Sequence, residues 1–229
     1  VRAEARIAGL GLPATEARAL RVDTAGELFY ACAAPPTEAA PPRARAVGAT
    51  VALSEAPALH SRPGCPRIIH LDFDGQVISG TAWNASAGIA RWDALAYDLD
   101  GDPTRFSADE LAAMRRIWER VAEDFAPFAV DVTTEDAPTG PTVARVLVTR
   151  DRDAADRDCP GIGAGGIAYI GVWGYSRAAY YAPAWVYYNR LGGGREDYVA
   201  EACAHEAGHL LGLHHDGTAN TTYYGGHGS

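Results

Sequence analysis

The chain has 229 residues, 48% hydrophobic and 21% charged, enough apolar material for one sizeable core and too much for a disordered or fibrous polypeptide. A net charge of -9, with no basic patch or basic amphipathic helix, argues against nucleic acid or an anionic membrane as partner. No run approaches the roughly 18 apolar residues of a membrane span. All twenty basic residues are Arg, a bias of composition that carries no mechanism.

Residues 19–31, ALRVDTAGELFYA, have the pattern of a hairpin, with Val22, Leu28 and Tyr30 as strand residues around the turn Thr24-Ala25-Gly26. Residues 33–66 follow as a linker, Ala- and Pro-rich and without sustained periodicity, which is spacer chemistry. From Arg67 the pattern becomes α/β. Ile69, Leu71 and Phe73 alternate in a strand ending at Asp74-Gly75. Asp98, Asp100 and Asp102 alternate around Gly101, and oxygen ligands at that spacing suit calcium as readily as a solvated turn. Pro103 and the lack of a twelfth-position Glu exclude an EF-hand. Asp72 and Asp74 offer a second oxygen pair.

Ser107 with Glu110 three residues on is a capping box. Behind it Leu111, Met114, Ile117, Trp118, Val121 and Phe125 recur at helical spacing until Pro127 stops the helix. Val130 and Val132 mark a strand, 143–149 another, and GGIAYIGVW (165–173) and AWVYYN (184–189) two more. Strands alternating with helices imply a mainly parallel sheet with helices packed on it.

The last element, a helix beginning near Asp197, carries HEAGHLLGLHHD (205–216). His205 and His209, four residues apart, share one helical face and can ligate one ion. Gly212 tolerates the left-handed backbone of a helix end, so the chain can reverse and deliver His215 as a third imidazole. Three imidazoles leave zinc one open position for water. Glu206, beside the first ligand, can reach that water as general base without being a ligand. His214 adjoins the third ligand but is off the spacing, and His60 and His70 read as structural or exposed.

The spacing HExxHxxGxxH resembles that of the metzincin zinc endopeptidases, and Asp216 after the third His is most like the reprolysin-type members and their secreted bacterial relatives. RIIHLDFDG (67–75), WERVAEDFAPFAVDVTTE (118–135), GGIAYIG (165–171) and YYGGHG (223–228) resemble metzincin segments in their family order. The resemblance implies an α/β (α+β) fold, a twisted, mainly parallel five-stranded sheet with an antiparallel edge strand, packed with the long helix and the zinc helix. It implies a propeptide remnant in 1–32, a linker in 33–66 and a catalytic domain in 67–229 that stops before the family's Met-turn, since Met114 is the only Met. Gly166, Ile167, Ala168 and Tyr169 would line the cleft, pairing with an extended protein or peptide substrate.

The resemblance further implies secretion, although no signal sequence follows Val1. In an exported protein Cys159 with Cys203 would form a disulfide, leaving Cys32 with Cys65. Cys65, in SRPGCPR, is also placed to be compared with the pro-segment cysteines that block zinc in some metzincins, although only three residues separate it from Ile68. The expected activity is zinc-dependent hydrolysis of peptide bonds by a metal-activated water, with Glu206 as base. The alternatives are a zinc hydrolase of non-peptide amides and a non-catalytic metal-stabilised binding module. The intact Glu206 argues against the latter, because a structural zinc site gains nothing from it. Substrate preference and oligomeric state are not encoded in any of these motifs.

Overall fold

The computed structural model describes residues 14–34 and 50–215, together with Ile7, Leu10 and Leu12. The chain lays down β1 (Leu20–Val22), β2 (Leu28–Ala33), β3 (Thr50–Ala52), β4 (Ile68–Asp72), β5 (Gln76–Ser79), β6 (Arg91–Ala94) and β7 (Arg105–Ser107). After the long helix (Ala108–Asp124) come β8 (Asp131–Thr133), β9 (Val143–Thr149), β10 (Ala164–Tyr169) and β11 (Ala184–Tyr187), then the motif helix (Glu196–Leu210).

One mixed sheet of seven strands runs in the order β1-β2-β10-β11-β9-β4-β8. Strands β8, β4, β9 and β11 pair in parallel, and β10 pairs antiparallel with β11. The expectation of five strands ending at an antiparallel edge is corrected here, because the β1–β2 hairpin extends the sheet past β10. An exposed edge leaves a row of N–H and C=O groups without partners, and β2 supplies them. The hairpin turn is held by Asp23, whose Oδ1 accepts the N–H groups of Ala25 and Glu27 at 2.9 and 2.8 Å. Small two-stranded sheets pair β3 with β7 and β5 with β6, so residues 50–52, within the Ala- and Pro-rich stretch, are tied to the domain.

The long helix starts as its capping box requires. Ser107 Oγ accepts from the Glu110 N–H, and Glu110 Oε2 accepts from Ser107 N–H at 2.7 Å, an arrangement that contributes about 1 kcal/mol. Its apolar stripe, with Ile117 and Val121 fully buried, packs on β8 and on the motif helix, which in turn packs across β9, β10 and β11. Both helices of the site region are therefore seated on the central sheet. Among the described residues no helix is long and apolar enough to cross a membrane.

The segment ahead of β4 is anchored at the far sheet edge by His60. Its Nδ1 lies 2.7 Å from Asp131 Oδ2 and its Nε2 3.0 Å from Glu135 Oε2, while Ser61 N–H donates to Val132 O at 3.0 Å. His70 is buried in β4, and burial and then Arg145 lower its pKa to about 4, keeping it neutral. Asp72 and Asp74 do meet, side chain to side chain, but the pair is already engaged by a cation of the protein: buried Asp72 accepts from Arg145 Nη1 at 2.9 Å. Hydrogen bonding to Asp131 raises the pKa of His60 above its ordinary value, outweighing burial. Its stabilisation is then complete below the unfolded value of about 6.5 and is lost as pH rises through the folded value. We expect the melting temperature of the wild type to exceed that of His60→Gln most below pH 6, with the gap narrowing above neutrality. A gap that widens with pH would contradict the anchor.

Candidate metal centre and cleft

The motif helix places His205 and His209 one turn apart with their rings turned inward, and its end produces the third imidazole. Leu211 closes the helix, Gly212 takes φ 95°, and two hydrogen bonds complete a Schellman turn. Gly212 N–H donates to His209 O and Leu213 N–H to Gly208 O, each at 2.9 Å. A side chain at 212 would be strained in this conformation, and without the reversal His215 could not return to the helix. His205 Nε2 lies 2.9 Å from His209 Nε2 and 3.2 Å from His215 Nε2.

The fourth corner is a residue that the motif does not contain. Cys32, the fifth residue of β2, places Sγ 3.3, 3.4 and 3.6 Å from the Nε2 atoms of His205, His209 and His215. These four are the grouping with metal-binding geometry at the end of the motif helix. The donor set fits zinc. Tetrahedral coordination with Zn–N of about 2.0–2.1 Å and Zn–S of about 2.3 Å separates N from N by about 3.4 Å and N from S by about 3.5 Å. His209 Nδ1 lies 2.8 Å from Leu213 O. A carbonyl can only accept, so Nδ1 carries the proton and Nε2 keeps its lone pair for a cation. Burial, followed by the neighbouring imidazoles, lowers the pKa of His205 to about 4 and of His209 to about 3. Both therefore hold the neutral form that ligates.

Glu206 is buried at 1% exposure, and Oε2 has no hydrogen-bond partner among the described residues. Burial raises its pKa well above the ordinary carboxylate range, with a hydrogen bond from Cys32 opposing. Gly166 makes room for it. A Cβ at 166 would lie 2.7 Å from Glu206 Cγ and 2.8 Å from Cδ, and closer still to Oε1. The first glycine pair of GGIAYIG thus has a steric reason that its sequence position alone does not reveal.

Gly166, Ile167, Ala168 and Tyr169 lie along β10 and pair with Cys32, Ala31, Tyr30 and Phe29 of β2. With period-two alternation, Tyr30 and Cys32 face the imidazoles. The Tyr30 ring lies 4.5 Å from that of His209 and 4.3 Å from that of His215, and its hydroxyl donates to Glu16 and lies 3.0 Å from His214 Nδ1. Next to Glu206 and His205 a cavity of about 450 Å³ is lined by Ala33, Ala34, Leu191, Tyr198 and Ala202, among others.

Three readings of the sequence change. None of the four cysteines forms a disulfide: Cys159 and Cys203 are each buried as thiols, with burial raising both pKa values, that of Cys159 to about 12. Cys65 does not approach the imidazoles and donates to Ala129 O at 3.1 Å; the cysteine at the site is Cys32. The acidic run at Asp98, Asp100 and Asp102 does not converge as a set. Asp98 Oδ1 accepts the N–H groups of Asp100, Gly101 and Asp102, and Asp102 Oδ1 turns to Thr104. The carboxylate that joins Asp98 and Asp100 is Glu110, already engaged by Leu99 N–H and the helix cap. These oxygens satisfy turn and cap donors, and calcium is not assigned. Asp216 and YYGGHG lie outside the described residues.

Residues 128–216 match the sequence model of the family described as Metallo-peptidase family M12B Reprolysin-like. The matched segment contains β8 to β11 and the whole histidine motif, and supports a metzincin-type metallopeptidase. Comparison with curated proteins and with solved structures found no match.

The packing of Gly166 on Glu206 has a direct test. Gly166→Ala should lower stability by about 1–3 kcal/mol through overpacking and displace the Glu206 carboxylate, measured by chemical denaturation and in a crystal structure of the variant. An unshifted Glu206 at unchanged stability would refute the contact.

Proposed function

We propose that the chain is a zinc-dependent endopeptidase held latent by its own N-terminal strand. The observation that carries this reading is the convergence of three imidazole Nε2 atoms and the Cys32 thiol on one point, with the buried Glu206 carboxylate beside it. Zinc, when bound there, supplies a Lewis acid that lowers the pKa of water and polarises the scissile carbonyl.

The chain's own residues do the rest. The Nε2 atoms of His205, His209 and His215 would hold the ion, and the Leu213 carbonyl fixes the tautomer and ring of His209. Glu206 accepts the proton of the attacking water and returns it to the leaving amine, its position being set by Gly166 and its Oε2 having no competing hydrogen bond among the described residues. Strand β10 binds an extended peptide through main-chain hydrogen bonds, as it now binds β2, which demands no particular substrate sequence. An edge strand aligned with the metal centre favours protein or peptide substrates over small amides, which have no backbone to pair.

Latency follows from one strand filling both positions. The Cys32 thiol would be a fourth ligand in the place of a water, and β2 takes the β10 edge that substrate would require. Residues 1–32 are in this reading an inhibitory pro-segment, with Tyr30 covering two of the ligand rings.

The test uses the zinc-loaded full chain and a quenched peptide library. The wild type should be slow, Cys32→Ala faster, and Cys32→Ala/Glu206→Gln slower than Cys32→Ala by about 10²–10⁴, with zinc content unchanged by metal analysis. Equal turnover of the last two would eliminate Glu206 as the base. No gain on removing the thiol would eliminate Cys32 as the latch.

A further inference from the structure

Phe29 lies opposite Tyr169 in the β2–β10 register, so its side chain leaves the sheet on the face away from the motif helix, opposite to Tyr30 and Cys32. There it meets aromatic walls. Its ring is 5.3 Å from that of Trp83, edge to face, and 5.6 Å from that of Tyr169. Trp83 lies 4.3 Å from Tyr169, and Tyr181 is 5.1 Å from Tyr169. Edge-to-face and tilted pairs at these separations are favourable beyond the area they bury.

Trp83 and Tyr181 are held by elements outside the hairpin. Trp83 is buried in a short helix (Ala82–Ala87) capped by Thr81 and Asn84, and its Nε1–H donates to Pro183 O at 2.9 Å, which fixes the ring. Tyr181 comes from a separate turn of helix (Ala178–Tyr181). Tyr169 belongs to β10 itself, and its hydroxyl donates to Asp23 of the hairpin turn at 3.0 Å. Any peptide that replaces β2 along β10 places every second side chain on this face, and the one at the Phe29 position enters the aromatic recess.

We infer that Trp83 and Tyr169, the latter packed on Tyr181, form an aromatic subsite of the cleft, occupied here by Phe29, which selects extended peptides carrying a Phe, Tyr or other large apolar side chain three residues before the residue at the metal. The inference rests on the peptidase reading, because it takes β2 as a stand-in for substrate. Main-chain pairing then supplies affinity that is blind to sequence, and this recess supplies the discrimination.

The experiment has a binding arm and a cleavage arm, both on the full chain carrying Phe29→Ala and Cys32→Ala, which weakens the resident strand. In the first, a fluorescent peptide copying residues 27–34 with Cys32→Ser is titrated against the zinc-free protein, beside its Phe29→Ala counterpart. The aromatic peptide should bind on the order of tenfold more tightly, and adding Trp83→Leu to the protein should shrink that ratio while the melting temperature reports that the fold is retained. In the second, the zinc-loaded protein is profiled on a peptide library, where aromatic residues should be enriched at one position on the N-terminal side of the cut. Equal affinities of the two peptides, or a ratio untouched by Trp83→Leu, overturn the subsite. Aromatic-selective binding without any cleavage supports the subsite and overturns the peptidase reading instead.

Discussion

Two imidazoles one turn apart on a helix define an edge of a metal site, and the third must come from a chain that reverses within a few residues. That reversal at Gly212 is the constraint on which the centre depends. The Schellman hydrogen bonds to His209 O and Gly208 O satisfy carbonyls that the helix end leaves without partners. They also bring Leu213 O to His209 Nδ1, so the turn that delivers His215 sets the tautomer of His209. Backbone geometry and ligand chemistry are the same few atoms.

The second dependence is the close approach of β10 to the motif helix. Glu206 sits directly over Gly166, and only a residue without a Cβ lets the edge strand pass there. Strand β10 and the Glu206 carboxylate are thereby held at a fixed separation by packing, which is the arrangement the proposed base requires. Occupation of that edge by β2 uses the same geometry. A strand paired to β10 necessarily carries one of its side chains to the imidazoles, and in this chain that side chain is a thiol.

Legibility differed between elements for physical reasons. The long helix was readable because its cap, its stripe and its proline stop are local signals, and the capping box formed as Ser107 and Glu110 imply. The hairpin at 19–31 was readable from its turn and alternation. Its partner was not, since pairing with β10, well over a hundred residues away, has no local trace. Cys32 lies one residue beyond the hairpin as first delimited, yet continues the alternation of Leu28 and Tyr30, so the available clue was strand parity. Cys65 could be compared with a metal-blocking thiol by its place ahead of the first central strand, although its closeness to Ile68 leaves little slack, and place in sequence says nothing of distance to the motif imidazoles. The acidic run looked like a cation loop because spacing reports ligand types and does not report which backbone N–H groups already claim them.

The amino-acid sequence by itself determined the three imidazoles, the carboxylate between them and the glycine at the turn, because a helix of 3.6 residues per turn and a left-handed residue convert spacing directly into geometry. Only the tertiary structure decided that the sheet has seven strands, that Gly166 is the floor beneath Glu206, and that Cys32 is the fourth group at the site. Those are contacts between segments far apart in the chain, set by strand register and helix seating, and no local pattern of residues encodes a register.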